Sequence, residues 1–140
     1  MERLIYLDTN IYIDYFKNRT DYLRPLGEFA FELLRRTFSC EFKIIVSNWV
    51  LKELEQNGFS KQSAQLIKRL KEMNKVAVIE YANNDSCLAK KLCNDRKIHY
   101  SDALHAAIAY RAGAEYLVTR NVSDFECVKD IIKVRCPEWL

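Results

Sequence analysis

The 140-residue chain has only three glycines and two prolines, too few for long flexible linkers or for a turn-rich all-β fold. It has no apolar run near the roughly 20 residues that cross a bilayer. Residues Met1 to Asp8 pattern as a strand that starts almost at once, without a charged-then-apolar segment ending in small residues. A cytosolic location is therefore expected. Histidine is scarce, with only His99 and His105, and the five cysteines (Cys40, Cys87, Cys93, Cys127, Cys136) are scattered, with no Cys-x-x-Cys pair. Zinc thus finds no ligand set, and reduced, mostly buried thiols are expected.

What is present has the balance of a globular protein. Apolar and aromatic residues make up 49% of the chain and charged residues 29%. That length suffices for one domain, 1–140, with a real core. The net charge is +3 and unevenly spread: residues 60–100 carry nine Lys/Arg against four Asp/Glu. Such a stretch beside an acidic remainder fits a polyanion lying over the surface while an acidic pocket holds cations. A solvated helix face would give the same count.

The hydrophobic pattern alternates between strands and helices. Leu4–Leu7 patterns as a buried strand, followed by a helix through Ile11, Tyr12, Tyr15 and Phe16 with Asn10 as its cap. Helical spacing of Leu23, Leu26, Ala30, Leu33, Leu34 and Phe38 predicts a helix over 22–38. Ile44–Val46 is a strand, and Ser47 caps a helix carrying Val50, Leu51 and Leu54 that Gly58 closes. A helix over 60–73 presents Ala64, Ile67, Leu70 and Met73. Then come a strand over 76–81 and a helix over 84–97. Ser101 caps an Ala-rich helix over 102–112, Tyr116–Val118 is a strand leading into a loop, and a last strand lies near 131–134. Solidly apolar strands separated by helices predict an α/β fold, a three-layer sandwich with a central, mainly parallel sheet.

Sites in such sheets form beyond the carboxyl ends of the strands. Acidic residues at those positions are Asp8 after the first strand, Glu53 in the helix after the second, Asp102 opening a late helix, and Asp124 after the 116–118 strand. Each has a plainer alternative: a helix cap for Asp8, a solvent-facing residue for Glu53, a first-turn acid for Asp102 and a loop acid for Asp124. Glu55 competes with Glu53 but projects about 200° away on a helix. Thr119 and Asn121 are placed to orient the cluster through hydrogen bonds. Several carboxylates at close range raise each other's pKa unless a cation joins them. An all-oxygen ligand set selects Mg²⁺ or Mn²⁺, which could activate water and stabilise an in-line displacement at phosphorus.

Leu7-Asp8-Thr9-Asn10, Val46-Ser47 with Glu53, Asp102-Ala103-Leu104-His105-Ala106-Ala107, and Thr119-Arg120-Asn121 through Asp124-Phe125 together resemble the PIN-domain nucleases. They are most similar to the short VapC-like toxins of bacterial and archaeal toxin–antitoxin pairs. The motifs occur in the family's order over nearly the whole chain. The resemblance implies a PIN-like fold with Asp8, Glu53, Asp102 and Asp124 as metal-binding acids. Thr9, Ser47, Thr119 and Asn121 fall at positions of supporting polar groups, beside Asn10 of the first motif. It further implies an endoribonuclease toxin that acts on RNA, forms a homodimer, and meets an antitoxin that blocks the pocket with a basic side chain. Placement of the fourth acid, here Asp124, varies in such proteins.

Other functions fit less well. A PIN nuclease of RNA processing or decay would share every motif. An aspartate-nucleophile phosphatase wants Asp-x-Asp after the first strand, where this chain has Asn10. A receiver-like phosphoacceptor or other non-catalytic binding module wants an acidic pair there, and Asp85 follows the middle strand only at a distance. His105 is expected to be structural rather than a catalytic base. Arg120, Lys68, Arg69, Lys90 and Lys91, with Lys71, Arg96 and Lys97, are candidate phosphate contacts. Trp49 and Trp139 are compatible with either core or interface positions.

Overall fold

The computed structural model describes residues 2–140. Five strands, β1 (Arg3–Leu7), β2 (Phe42–Ser47), β3 (Val76–Ile79), β4 (Tyr116–Val118) and β5 (Val134–Arg135), form one all-parallel sheet in the order β3-β2-β1-β4-β5. Six α-helices connect them: α1 (Thr9–Lys17), α2 (Leu26–Phe38), α3 (Asn48–Gln56), α4 (Ser60–Glu72), α5 (Asn83–Arg96) and α6 (Tyr100–Arg111). Short 3₁₀ helices cover Val122–Val128 and Pro137–Trp139.

The chain runs outward from β1 to β2 to β3, then returns to the far side of β1 at β4. Right-handed crossovers therefore put α1–α4 on one face and α5–α6 on the other, giving three layers. β1 is the central strand, and Ile5, Tyr6 and Leu7 are buried against Ile44, Ile45, Leu117 and Val118 of its neighbours. Strands buried on both faces must be continuously apolar, which is why they do not alternate. The direction of strand order reverses between β1 and β4, the position where α/β sheets open a crevice at their carboxyl ends.

Several local expectations are corrected. The 22–38 helix begins only at Leu26, because Pro25 disfavours helical backbone at Arg24 and Asp21 pairs with Arg24 instead. Tyr22 and Leu23 are almost wholly exposed. Asn10 and Ser101 lie inside α1 and α6; Asp8 and His99 occupy the cap positions. On α4 the buried stripe is Ser63, Leu66, Ile67 and Leu70, a tighter i, i+3, i+4, i+7 set that leaves Ala64 and Met73 outside. β3 stops at Ile79 because the Tyr81 N–H donates to Asn48 Oδ1. β5 starts at Val134 because Ile131 and Ile132 donate to the Val128 carbonyl in a turn. None of the five cysteines is fully buried: Cys40, Cys87 and Cys127 are exposed and Cys93 and Cys136 partly so, all as free thiols. Cys87 lies on an exposed face of α5, Cys93 packs partly against the core, and Cys40, Cys127 and Cys136 lie outside the α-helices and strands. Ser47 does cap α3, accepting the Val50 N–H at 3.1 Å. Among the described residues no helix is long and apolar enough to cross a membrane.

Gly27, in the first turn of α2, packs directly against Asn18, the C-cap of α1. A Cβ built there would collide with the backbone of Asn18, which cannot yield like a side chain. Alanine in an open helix would favour folding by up to about 1 kcal/mol. At this position Gly27→Ala should instead destabilise by about 1–3 kcal/mol in urea unfolding. A stability gain would show that the two helices separate freely.

Candidate active site

Asp8 leaves β1 at the reversal point, and its N–H donates to the Val118 carbonyl of β4 at 2.8 Å. Its carboxylate Oδ2 accepts from Thr119 Oγ1 at 2.9 Å. Thr119 is completely buried, and the same oxygen accepts from Asn10 Nδ2 at 3.3 Å and from the Asn121 N–H at 3.2 Å. A hydroxyl has one proton and two acceptor sites, so Thr119 is saturated and fixes Asp8 in one orientation. Although Asp8 stands at the α1 cap position, its side chain makes no cap hydrogen bond.

Glu53 is held by three donors. Thr9 Oγ1 at 2.7 Å and His105 Nε2 at 2.6 Å reach Oε1, and Ser101 Oγ at 2.7 Å reaches Oε2. Burial opposes its ionisation, but the His105 hydrogen bond and charge, with Thr9 and Ser101, pull the carboxyl down to about 2. His105 is fully buried beneath it, with Nδ1 2.7 Å from the Tyr6 hydroxyl, which in turn lies 2.8 Å from Ser47 Oγ. Burial disfavours the imidazolium, yet Glu53 and the nearby Asp8 raise the His105 pKa overall. Its Nε2 is 3.6 Å from Asp8 Oδ1, so one ring spans the two acids.

Asp102, in the first turn of α6, is half-buried. Its carboxyl is pushed up to about 6, first by burial and then by the charges of Asp8 and Asp124. Asp102 and the exposed Asp124 line a cleft of about 530 Å³ together with Lys97, His99 and Ser123. The fold thus brings Asp8, Glu53 and Asp102 together, with Asp124 on the rim. Among the described residues no three His, Cys, Asp or Glu side chains are spaced to hold a metal ion directly. The donor set nevertheless suits a hydrated hard cation, which keeps several waters and needs few direct ligands. Asp102 carries the repulsion such a charge would relieve, and Asn10 Oδ1 is a buried oxygen without a donor, which a cation's water could supply.

The remaining predicted residues divide. Thr9, Asn10 and Thr119 touch the acids or their direct partner, Ser47 acts through Tyr6 and the α3 cap, and Asn121 contributes its backbone N–H. Arg120 turns away to pair with buried Asp14 at 2.8 Å. Arg69 lies over the Phe38 ring, and Lys68 lines an α3/α4 groove with Glu55 that contains none of the acids. Lys90 and Lys91 are exposed on α5, whereas Arg96 is bound to Asp130 and the Cys127 carbonyl. Asp85 is taken by Arg111 and the Ala82 N–H, which leaves it no phosphoacceptor role. Sequence reasoning missed Ser101 as a partner of Glu53 and Tyr6 as the support of His105. The signal for Tyr6 was a hydroxyl inside a strand whose neighbours are all apolar.

Comparison with known proteins identifies the family and the fold. A family model described as PIN domain matches residues 5–123. The chain is similar in structure to a toxin–antitoxin complex from Klebsiella pneumoniae, with TM-score 0.65 and 23% identity over 95% of this chain and 97% of the other. It is also similar to VapBC-1 from nontypeable Haemophilus influenzae, with TM-score 0.67 and 24% identity over 96% and 98% of the two chains. VapBC2 from Rickettsia felis, solved with a promoter DNA fragment, gives TM-score 0.65 and 21% identity over 95% and 98%. No curated protein matches in sequence.

Replacing His105 with alanine removes one of three Glu53 donors, a partner of Tyr6 and a filled volume. His105→Ala should lower the unfolding free energy by about 1–3 kcal/mol. Chemical denaturation checks this; an unchanged midpoint would mean that the imidazole bears no load.

Proposed function

The chain belongs to the PIN-domain family, and from that premise we propose that it is a metal-dependent endoribonuclease hydrolysing RNA phosphodiester bonds, acting as the toxin of a toxin–antitoxin pair. The observation that supports this best is the gathering of Asp8, Glu53 and Asp102 at the β1/β4 reversal, with Asp102 pushed up to about 6 by burial and neighbouring negative charge. Asp8, Glu53, Asp102 and Asp124 would hold Mg²⁺ or Mn²⁺, which supplies charge neutralisation at the phosphate and activation of the attacking water. The chain's own residues keep the donors fixed: Thr119 orients Asp8, while Thr9, Ser101 and His105 orient Glu53. Preorganised oxygens need no rearrangement as charge develops, which is where electrostatic catalysis gains most.

The toxin reading draws on the likeness of this fold to toxin–antitoxin complexes. It carries a homodimer, a protein antitoxin and a cytoplasmic location with it. A small antitoxin gene beside this one, and growth arrest relieved by its co-expression, separates a toxin from an RNA-processing nuclease.

Labelled RNA and DNA incubated with Mg²⁺, Mn²⁺ or EDTA test the chemistry. RNA cleavage by the wild type should vanish in EDTA and fall at least about 100-fold in Asp8→Asn and Asp102→Asn. His105→Ala should keep most of the activity, because Thr9 and Ser101 still hold Glu53. Equal inertness of wild type and Asp8→Asn across metals, without metal binding, would make the acids structural and leave a binding module.

Phosphate contacts are the coarser part of this reading. Lys90 and Lys91 stand free on α5, whereas Arg120 and Arg69 already have partners and Lys68 borders the α3/α4 groove. Reversing Lys90 and Lys91 to glutamate should weaken RNA affinity and flatten its dependence on salt. An unchanged salt slope would remove them from the interface.

A further inference from the structure

Beside the acids lies a group of aromatic side chains that the hydrolysis itself does not use. Trp49 is in the first turn of α3, Tyr81 lies two residues beyond the end of β3, and Tyr100 opens α6. These positions bring the three rings together at the sheet edge that carries Glu53 and Asp102. Tyr81 and Tyr100 both meet the indole edge-on, with centroids 6.0 and 6.4 Å away at 86° and 85°. Trp49 packs partly buried against the core while both tyrosines stay more than a third exposed, so the cluster opens to solvent as a rim.

The rim is fixed and tied to the acids. The Tyr81 N–H donates to Asn48 Oδ1 at 3.0 Å. Trp49 Nε1 donates to Ser101 Oγ at 3.3 Å, and Ser101 Oγ donates to Glu53 Oε2 at 2.7 Å. The indole is thus one serine away from the Glu53 carboxylate. Lys52 Nζ sits over the same indole, 5.5 Å from its centre, and adds positive charge beside the rings.

We propose that Trp49, Tyr81 and Tyr100 form a stacking site for an unpaired nucleobase flanking the scissile phosphate. This rests on the nuclease reading above. Bases splayed out of a strand stack on aromatic faces, whereas bases inside a duplex cannot leave their neighbours without unpairing. A phosphate at the acids and its own base on the rim would be gripped at both ends, with Lys52 near the adjoining backbone. Every base has a stackable face, so the site selects strandedness and not base identity.

The test uses the full chain carrying Asp8→Asn, to prevent cleavage, and Trp139→Phe, to leave Trp49 as the sole tryptophan. Trp139 is well exposed in the C-terminal 3₁₀ helix, so its replacement should not disturb the site. A fluorescein-labelled single-stranded oligoribonucleotide and its duplex are titrated while anisotropy and Trp49 emission are read together. The single strand should bind more tightly than the duplex and quench Trp49. Tyr81→Leu with Tyr100→Leu should weaken binding by about 5- to 100-fold, while the two phenylalanine variants retain it. Binding by anisotropy with unchanged Trp49 emission and unaffected leucine variants would overturn the stacking site and leave the nuclease standing. Absence of both binding and wild-type cleavage would overturn the two together. Leucine variants that bind RNA normally but lose a co-expressed antitoxin would assign the rim to a protein partner and overturn the proposal.

Discussion

Negative charge gathered at one edge of a parallel sheet is the constraint around which this molecule is arranged. Asp8, Glu53 and Asp102 could be quieted by arginine or lysine, but the fold does not do so. Arg120, the nearest cation in sequence to Asp124, is spent on buried Asp14. Among the described residues the ion-pair partner given to Asp8 and Glu53 is the buried imidazole of His105. Hydroxyls of Thr9, Ser101 and Thr119 supply the other hydrogen bonds. Neutral donors orient a carboxylate without cancelling its charge. Asp102 bears the consequence: burial first, and then the charges of Asp8 and Asp124, push its carboxyl up to about 6.

This arrangement places demands on the core. Tyr6 and Ser47 come from two adjacent central strands, and His105 from the most buried helix, where apolar residues would pack with no polar cost. An unsatisfied polar group there costs about 1–3 kcal/mol, so each is paired in sequence: Glu53 to His105, His105 to Tyr6, Tyr6 to Ser47, and Ser47 to the Val50 N–H. Tyr12 lacks this arrangement. Its hydroxyl is buried without a partner, and burial raises its pKa far above that of an ordinary phenol. The contrast shows that polar groups under the acids are satisfied as a chain, whereas a nearby one outside the chain is not.

Sequence patterning conveyed the architecture well because its strands are short, apolar and separated by helices, and that signal depends only on local composition. Ser47 as a cap and Gly58 as a helix stop followed from backbone chemistry that operates within a few residues, and Gly58 adopts a positive φ. The misplacements arise where a distant partner competes. Ser101 has cap chemistry but spends its hydroxyl on Glu53, 48 residues away. Tyr81 has strand propensity, yet Asn48 takes its N–H. Likewise Arg120 lies next to the pocket in sequence, and only the tertiary fold reveals that Asp14 faces it. Acidic positions were legible because topology alone sends strand ends to one edge. Their support was not, because hydrogen bonds spanning 41 to 111 residues leave no periodic trace.

Ser101 joins the two halves of this edge. Its single proton goes to Glu53, which leaves its oxygen free to accept from Trp49, so the carboxylate and the aromatic rim share one atom. Moving the indole would loosen the serine, and loosening the serine would remove one of three anchors of Glu53. A ligand seated on the proposed rim would therefore tighten the acid beside it without touching it. Binding energy taken from a part of the substrate that does not react would then be expressed as order at the reacting centre. The same coupling explains why the rim is built from a tryptophan and tyrosines, whose rings are large, rigid and low in conformational entropy, and not from flexible lysines. Charge alone can draw a polyanion toward a surface; rings held one serine away from a fixed acid would set which part of it comes to rest there.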